Sequence, residues 1–252
     1  MVRGLDSFKD WFRGYKEQYV IIGGTACDLL MSDSGLGFRA TKDIDLVLIF
    51  EAIDAGFARR FWEYIAIAGY EHRNKSTGAP QFYRFTNPRS QEYPAIIELF
   101  TRRLNDIPLP EDAVLTPLPM DDNISSLSAI LLNDDYYSLL KQGKVNVSGV
   151  TILDAPYLIP FKAKAWMDLS DRKAAGESVD SRNIRKHKND AFRLTELLDS
   201  NQGPLPNLPD TIRSDMNEFI ERMLPEAVDL KQLDIPGKTK SDILDQLRIV
   251  YG

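Results

Sequence analysis

The spacing of apolar and polar positions changes period several times along the 252 residues. Tyr19–Ile22 is a short, largely apolar run of the kind that forms a buried strand, and it breaks at Gly23-Gly24. Thr25–Met31 then reads as a helix and Ser32–Phe38, with two glycines, as a loop. Asp43–Phe50 is a strong strand pattern. Phe57, Phe61, Ile65 and Ala68 recur at helical spacing, and Gly69 is a natural stop. Gln81–Thr86 and Ala95–Phe100 predict two more strands, linked through Asn87-Pro88. Strands and helices alternating in this way imply a mixed sheet with helices packed on it.

Four prolines between Pro108 and Pro119 mark a linker or an extended excursion. Beyond it, the pattern predicts a short strand or helix near Leu127–Leu132, a helix near Asp134–Gln142 and a hairpin over Lys144–Leu153. From Ala155 onward the periodicity is helical, interrupted by the proline-rich stretch at 200–209. The expected class is therefore α/β (α+β): a mixed-sheet domain over residues 1–120, then a mainly helical domain over 121–252.

Composition narrows the chemistry. No apolar run approaches the roughly 18 residues that a membrane span requires, and Asp6, Lys9 and Asp10 occupy the place where a signal peptide keeps its apolar core. A cytoplasmic protein without membrane partners is expected. One cysteine, Cys27, and two separated histidines, His72 and His187, leave no material for a thiolate or imidazole metal centre. Any metal must be held by carboxylates, which points to Mg2+ or Mn2+. The net charge is −6, but Lys162–Arg193 carries nine Lys/Arg against five Asp/Glu, a local +4 that leaves −10 for the remainder. Such a run is either a solvated helix face or a surface that meets phosphate.

The candidate chemistry lies in Tyr19–Phe50. Gly23-Gly24-Thr25 sits where a strand turns into a helix, so the backbone can approach a bound group and the helix start can offer N–H groups to a phosphate. A purely structural turn has the same appearance. Asp43 and Asp45 alternate with Ile44 and so share one strand face, about 7 Å apart along the chain. Carboxylates held that close repel unless a cation neutralises them; the plainer reading is a solvated strand entry. Glu98, between apolar neighbours in Ala95–Phe100, needs a partner if buried and faces water if on an edge. Gathered on adjacent strands, the three acids would form a cage for two divalent ions.

Two positions on the later helices stand out. Leu158, Phe161, Ala165 and Leu169 form an apolar stripe that includes Lys162 but excludes Lys164, so Lys162 either snorkels to a rim or meets an anion. Ile184, His187, Ala191, Leu194 and Leu198 form a second stripe. It makes His187 a core histidine, with Asp190 at its border and Lys188 solvated on the other flank.

The order Gly-Gly-Thr, helix, Asp-x-Asp on a strand, crossover helix and acidic strand resembles the polymerase-β-like nucleotidyltransferase superfamily. More narrowly, GGTACDLL followed by Arg39-Ala-Thr41-Lys-Asp43-Ile-Asp45-Leu looks like the AbiEii/MenT group, toxins of bacterial type IV toxin–antitoxin and abortive-infection systems. PYLIPFKAKAWMDLSDR and KHKNDAFRLTELL look like that group's lysine-bearing and Lys/Asp-bearing helices. The likeness covers residues 19–50 and 156–198. It departs from the superfamily in the seventeen residues between Thr25 and Asp43, a longer gap than usual.

The resemblance implies a nucleotidyltransferase fold with Asp43, Asp45 and Glu98 as catalytic metal ligands. It implies nucleotide binding by Gly23, Gly24, Thr25, Arg39, Thr41, Lys162 and Asp190. The reaction implied is transfer of a nucleoside monophosphate from an NTP to an acceptor hydroxyl, with a tRNA 3′ end as acceptor and a cognate antitoxin as partner. Two alternatives stand beside it: an antibiotic-type nucleotidyltransferase acting on a cationic drug, and an inert module of the same fold that only binds a nucleotide or a partner.

Overall fold

A computed structural model describes residues 2–49, 51–71, 84–100, 130–131, 133–199, 201 and 203–252. The expected excursion at 108–119, residues 81–83 of the third strand, His72 and most of the segment near 127–132 lie outside the described residues. The chain divides into two compact units, Met1–Met120 with Lys144–Leu153, and Asp121–Gly143 with Asp154–Gly252.

The first unit is built on a six-stranded mixed sheet. Its elements are α1 (Leu5–Trp11), β1 (Tyr19–Ile22), α2 (Gly23–Asp33), β2 (Asp43–Leu48), α3 (Ala55–Ala68), β3 (Arg84–Thr86), β4 (Ile96–Phe100), β5 (Lys144–Val147) and β6 (Val150–Leu153). The spatial order is β3-β4-β2-β1-β6-β5. β1 runs antiparallel to β2 and parallel to β6, and β2 runs parallel to β4.

Strand alternation sorts these residues into two faces. Tyr19, Ile21, Ile44, Leu46, Leu48, Phe85, Ile97 and Leu99 share one face and are all buried. α1 and α3 cover that face with aromatic rings. Phe8 stands edge-on to Tyr19 at 5.5 Å, and Phe61 edge-on to Phe85 at 5.5 Å. Phe12, fully enclosed, lies 4.6 Å from Phe8 and 5.3 Å from Tyr64. Asp54 starts α3 by accepting a hydrogen bond from the Phe57 N–H at 2.7 Å. The other face of β2 and β4 carries Asp43, Asp45 and Glu98.

Two details differ from the sequence pattern. α2 starts at Gly23, two residues ahead of the apolar periodicity, because Gly23 takes φ +69° and turns the chain directly out of β1. The hairpin 144–153 is where the alternation predicts it. It belongs, however, to the sheet unit, since Ile152 pairs with Ile21, whereas the pattern groups it with the helices. A parallel pairing across more than a hundred residues leaves no mark on local periodicity.

The second unit is helical over its described residues: α4 (Asp134–Gln142), α5 (Ala155–Ala174), α6 (Ser181–Leu194) with a 3-10 turn at Thr195–Leu197, α7 (Asp210–Met223) and α8 (Lys240–Tyr251). Asn133, Asp154 and Thr239 cap α4, α5 and α8 through side-chain oxygens. The α5 stripe of Leu158, Phe161, Ala165 and Leu169 is buried, and Trp166 stands edge-on to Phe219 of α7 at 5.6 Å. Tyr251 donates its hydroxyl to the Pro156 carbonyl at 2.7 Å, tying the end of α8 to the first turn of α5. The α/β class, a mixed sheet followed by helices, is therefore the one observed.

Phe12 is the ring on which the aromatic layer converges. Phe12→Ala is expected to cost about 3–5 kcal/mol in urea unfolding. Ile67→Ala, at a position 53% exposed, should change stability by less than ~0.5 kcal/mol.

Candidate active site

β2 and β4 set the geometry. Their parallel register places Asp45 opposite Glu98 and Asp43 opposite Ile96, so three carboxylates share one sheet face within three residues of strand. Arg84 is opposite Glu98 on the other side, across the antiparallel β3–β4 pair. Its Nε lies 3.2 Å from Glu98 Oε1, an ion pair without the alignment of a hydrogen bond.

The Glu98 side chain is only 15% exposed. Burial is the main reason its pKa rises to about 8; repulsion from Asp45 adds to the rise, Arg84 opposes it, and a hydrogen bond with Asp45 and the charge of Asp43 raise it further. At neutral pH Glu98 and Asp45 thus hold a proton between them.

The turn after β1 closes against this pair. A Cβ added at Gly23 would fall 1.6 Å from Asp45 Oδ2, so the backbone there lies directly on the carboxylate, and its φ of +69° also requires glycine. A Cβ at Gly24 would meet Thr41 Oγ1 at 2.7 Å and an Arg39 guanidinium nitrogen at 3.3 Å. The two glycines therefore bring a carboxylate, a hydroxyl and a guanidinium to one stretch of backbone. Thr25 takes a different role. Fully buried, it donates its hydroxyl to the Asp43 carbonyl at 2.6 Å and so ties the start of α2 to the start of β2.

The closed three-carboxylate cage expected from the sequence does not form. Among the described residues, no group of three or more His, Cys, Asp or Glu side chains is gathered closely enough to hold an ion. Glu98 is drawn instead towards Asp45 and Arg84.

Lys162 and Asp190 belong to the second unit, and the structure brings them together. Lys162 Nζ donates to Asp190 Oδ2 at 2.9 Å, with both side chains nearly inaccessible, linking α5 to α6. Lys164, which the stripe places on the outer face, also has a carboxylate: its Nζ is 2.6 Å from Asp215 Oδ1, and Asp215 Oδ2 accepts from the Tyr136 hydroxyl at 2.9 Å. Lys188 is paired with Glu226 at 2.7 Å rather than merely solvated, and His187 is half-buried.

Sequence reasoning missed Arg84. The only signal was the polar–apolar–polar alternation Arg84-Phe85-Thr86, and only the β3–β4 register shows that the arginine meets Glu98.

No protein family and no curated protein matches the sequence. Among solved structures, the chain is similar to the antibiotic-resistance factor ANT(2'')-Ia, known from a solution structure. The two are 12% identical over 85% of this chain and 93% of that one, with a TM-score of 0.33. A likeness this low leaves the geometry above to stand by itself.

Two outcomes follow from these charges. Glu98 keeps a proton in the folded chain up to pH ~8 but gives it up at about pH 4.3 when unfolded. With a chelator present, stability should therefore fall as pH rises through that window and level off above it. Glu98→Gln should flatten the profile and raise the Tm at pH 8.5 by roughly 3–8 °C. A parallel pH profile in the variant would exclude Glu98 as the group responsible. In the second unit, Lys162→Ala leaves Asp190 buried and unpaired, at a cost of about 3–5 kcal/mol. Lys162→Met combined with Asp190→Leu should recover most of that loss, as read from a double-mutant cycle in urea.

Proposed function

We propose that the chain is a metal-dependent nucleotidyltransferase that moves a nucleoside monophosphate from an NTP to an acceptor hydroxyl. One observation carries this reading: the Gly23 backbone lies on the Asp45 carboxylate, which is itself paired with Glu98 on the next strand. A helix start whose N–H groups can face a phosphate, beside acids able to share a cation, is the combination that transfer from a triphosphate requires.

The donor set suits Mg2+ or Mn2+, being all oxygen, and Glu98 is buried beside Asp45 and Asp43 with Arg84 as the opposing charge, a setting in which a bound cation would be favourable. Asp43, Asp45 and Glu98 share the strand face on which the ion would bind, and they would have to close on it, with Glu98 losing its proton as it binds. The metal supplies charge neutralisation and polarisation of the triphosphate. Gly23 and Gly24 let Asp45, Thr41 and Arg39 close on the helix start, where its N–H groups, the Arg39 guanidinium and the Thr41 hydroxyl would meet phosphate oxygens. Thr25 fixes the aspartate strand relative to the glycine turn. Lys162 and Asp190 enter as a pair, and a triphosphate contact from Lys162 requires that pair to open.

The acceptor we favour is an RNA 3′ end, that of tRNA, in a toxin-like role with a cognate antitoxin. The support is the residue-level resemblance at 19–50 and 156–198, together with the basic run in Lys162–Arg193. The test is incubation with each labelled NTP and Mg2+, against total RNA, a cationic aminoglycoside, or the protein alone. Label in RNA is the expected result; label in the drug would move the acceptor to the antibiotic class, and no label in any arm would refute transfer. Asp45→Asn, which removes charge with little change of shape, should lower the rate by at least ~100-fold while the protein stays folded. Unchanged turnover in that variant would remove the carboxylates from the mechanism.

A further inference from the structure

The second unit contains a cavity of about 220 Å³ between α5 and α6, beginning one turn beyond Lys162 at Trp166 and ending at Lys188, two residues before Asp190. Trp166 and Ile184 contribute apolar wall. Lys173, Arg185 and Lys188 bring three cations to it, against the single carboxylate of Glu226. Glu226 is engaged with Lys188, at 2.7 Å, and Lys188 also donates to the Ala227 carbonyl at 3.0 Å. Lys173 meets the hydroxyl of Ser181, another lining residue, and its charge also acts on Asp180, which lies outside the lining and is paired with Arg182. Arg185 makes no hydrogen bond or ion pair with any described residue.

We propose that this cavity is a binding site for a small phosphorylated ligand, with a phosphate dianion as the group recognised. Three arguments lead there. The excess charge is two positive, which a dianion neutralises and a carboxylate or chloride does not. The donors are of the right type: a guanidinium can hold two oxygens of one phosphate, and an ammonium and a hydroxyl can take the third. The space is open to solvent at Lys173, Ser181 and Arg185, which are exposed, and bounded on one side by an indole and an aliphatic side chain, so it has a shape as well as a charge. Its size suits a phosphate with a short organic substituent rather than a chain of nucleotides. The site is independent of the carboxylates of the sheet and does not rest on their assignment.

The test is calorimetric titration of the full chain with inorganic phosphate and with a small phosphomonoester, at low ionic strength and with chloride as the control anion. Saturable one-to-one binding is expected. Arg185→Gln and Lys173→Gln should each weaken it about tenfold, the effect of losing one charge-assisted contact. Arg182→Gln, on the same helix but paired with Asp180 at 2.9 Å and outside the lining, should leave it unchanged. Asp45→Asn should also bind normally, separating this site from any phosphate held at the sheet.

Absence of saturable binding, or an equal loss with Arg182→Gln, would overturn the proposal in favour of a diffuse basic field. Binding of single-stranded RNA that depends on Arg185, without binding of either small phosphate, would overturn it in favour of a polynucleotide surface.

Discussion

The first unit depends on one pairing, the parallel register of β2 with β4 that sets Asp45 beside Glu98. Two carboxylates in a mostly enclosed position are among the least favourable things a sheet can carry. Neither carboxylate can have its charge fully solvated there, and each raises the cost of ionising the other. The surroundings are organised around that cost. Arg84 stands opposite Glu98 on the neighbouring strand, and a proton is retained between the two acids. The aromatic layer on the opposite face, from Phe8 to Phe85, gives the sheet the rigidity to hold this arrangement. The same order recurs in the second unit, where Lys162 and Asp190 are buried as a pair and the buried Asp215 is met by Lys164 from the edge of the core.

Much of this was legible in the sequence because it is written at short range. β1, β2, β4, α3 and α4 follow from period, and α3 also from its stop at Gly69. The common face of Asp43 and Asp45 follows from strand alternation alone. What could not be read are relations between distant segments. Glu98 could be marked as an acid in an apolar strand, but only the register shows that it faces Asp45 rather than the α1–α3 side. Arg84 could not be marked at all. Lys162 was distinguished from Lys164 by its place on the apolar stripe, and that distinction holds for burial. The partners Asp190 and Asp215 come from helices 28 and 51 positions away, and nothing in the local pattern reports them.

The glycine turn shows how function-like geometry and plain packing can coincide in one motif. Gly23 is required by its positive φ and by the carboxylate it touches, Gly24 by the Thr41 hydroxyl, and Thr25 by a backbone carbonyl. Three adjacent residues that resemble one phosphate-binding signature thus divide into two that clear space and one that fastens two elements together.

The hairpin of β5 and β6 has a further consequence for how the chain can be divided. The sheet unit is discontinuous: it is left after residue 120 and re-entered at Lys144 for ten residues. β1 is an interior strand only because those ten residues supply β6. A fragment stopping at residue 120 would keep every candidate catalytic carboxylate and both glycines, yet it would present the outer side of β1 as a row of unpaired N–H and C=O groups. Such an edge is a template for another strand. The sheet unit is thus not one contiguous stretch of the chain, and an expression fragment ending at residue 120 would be prone to self-association.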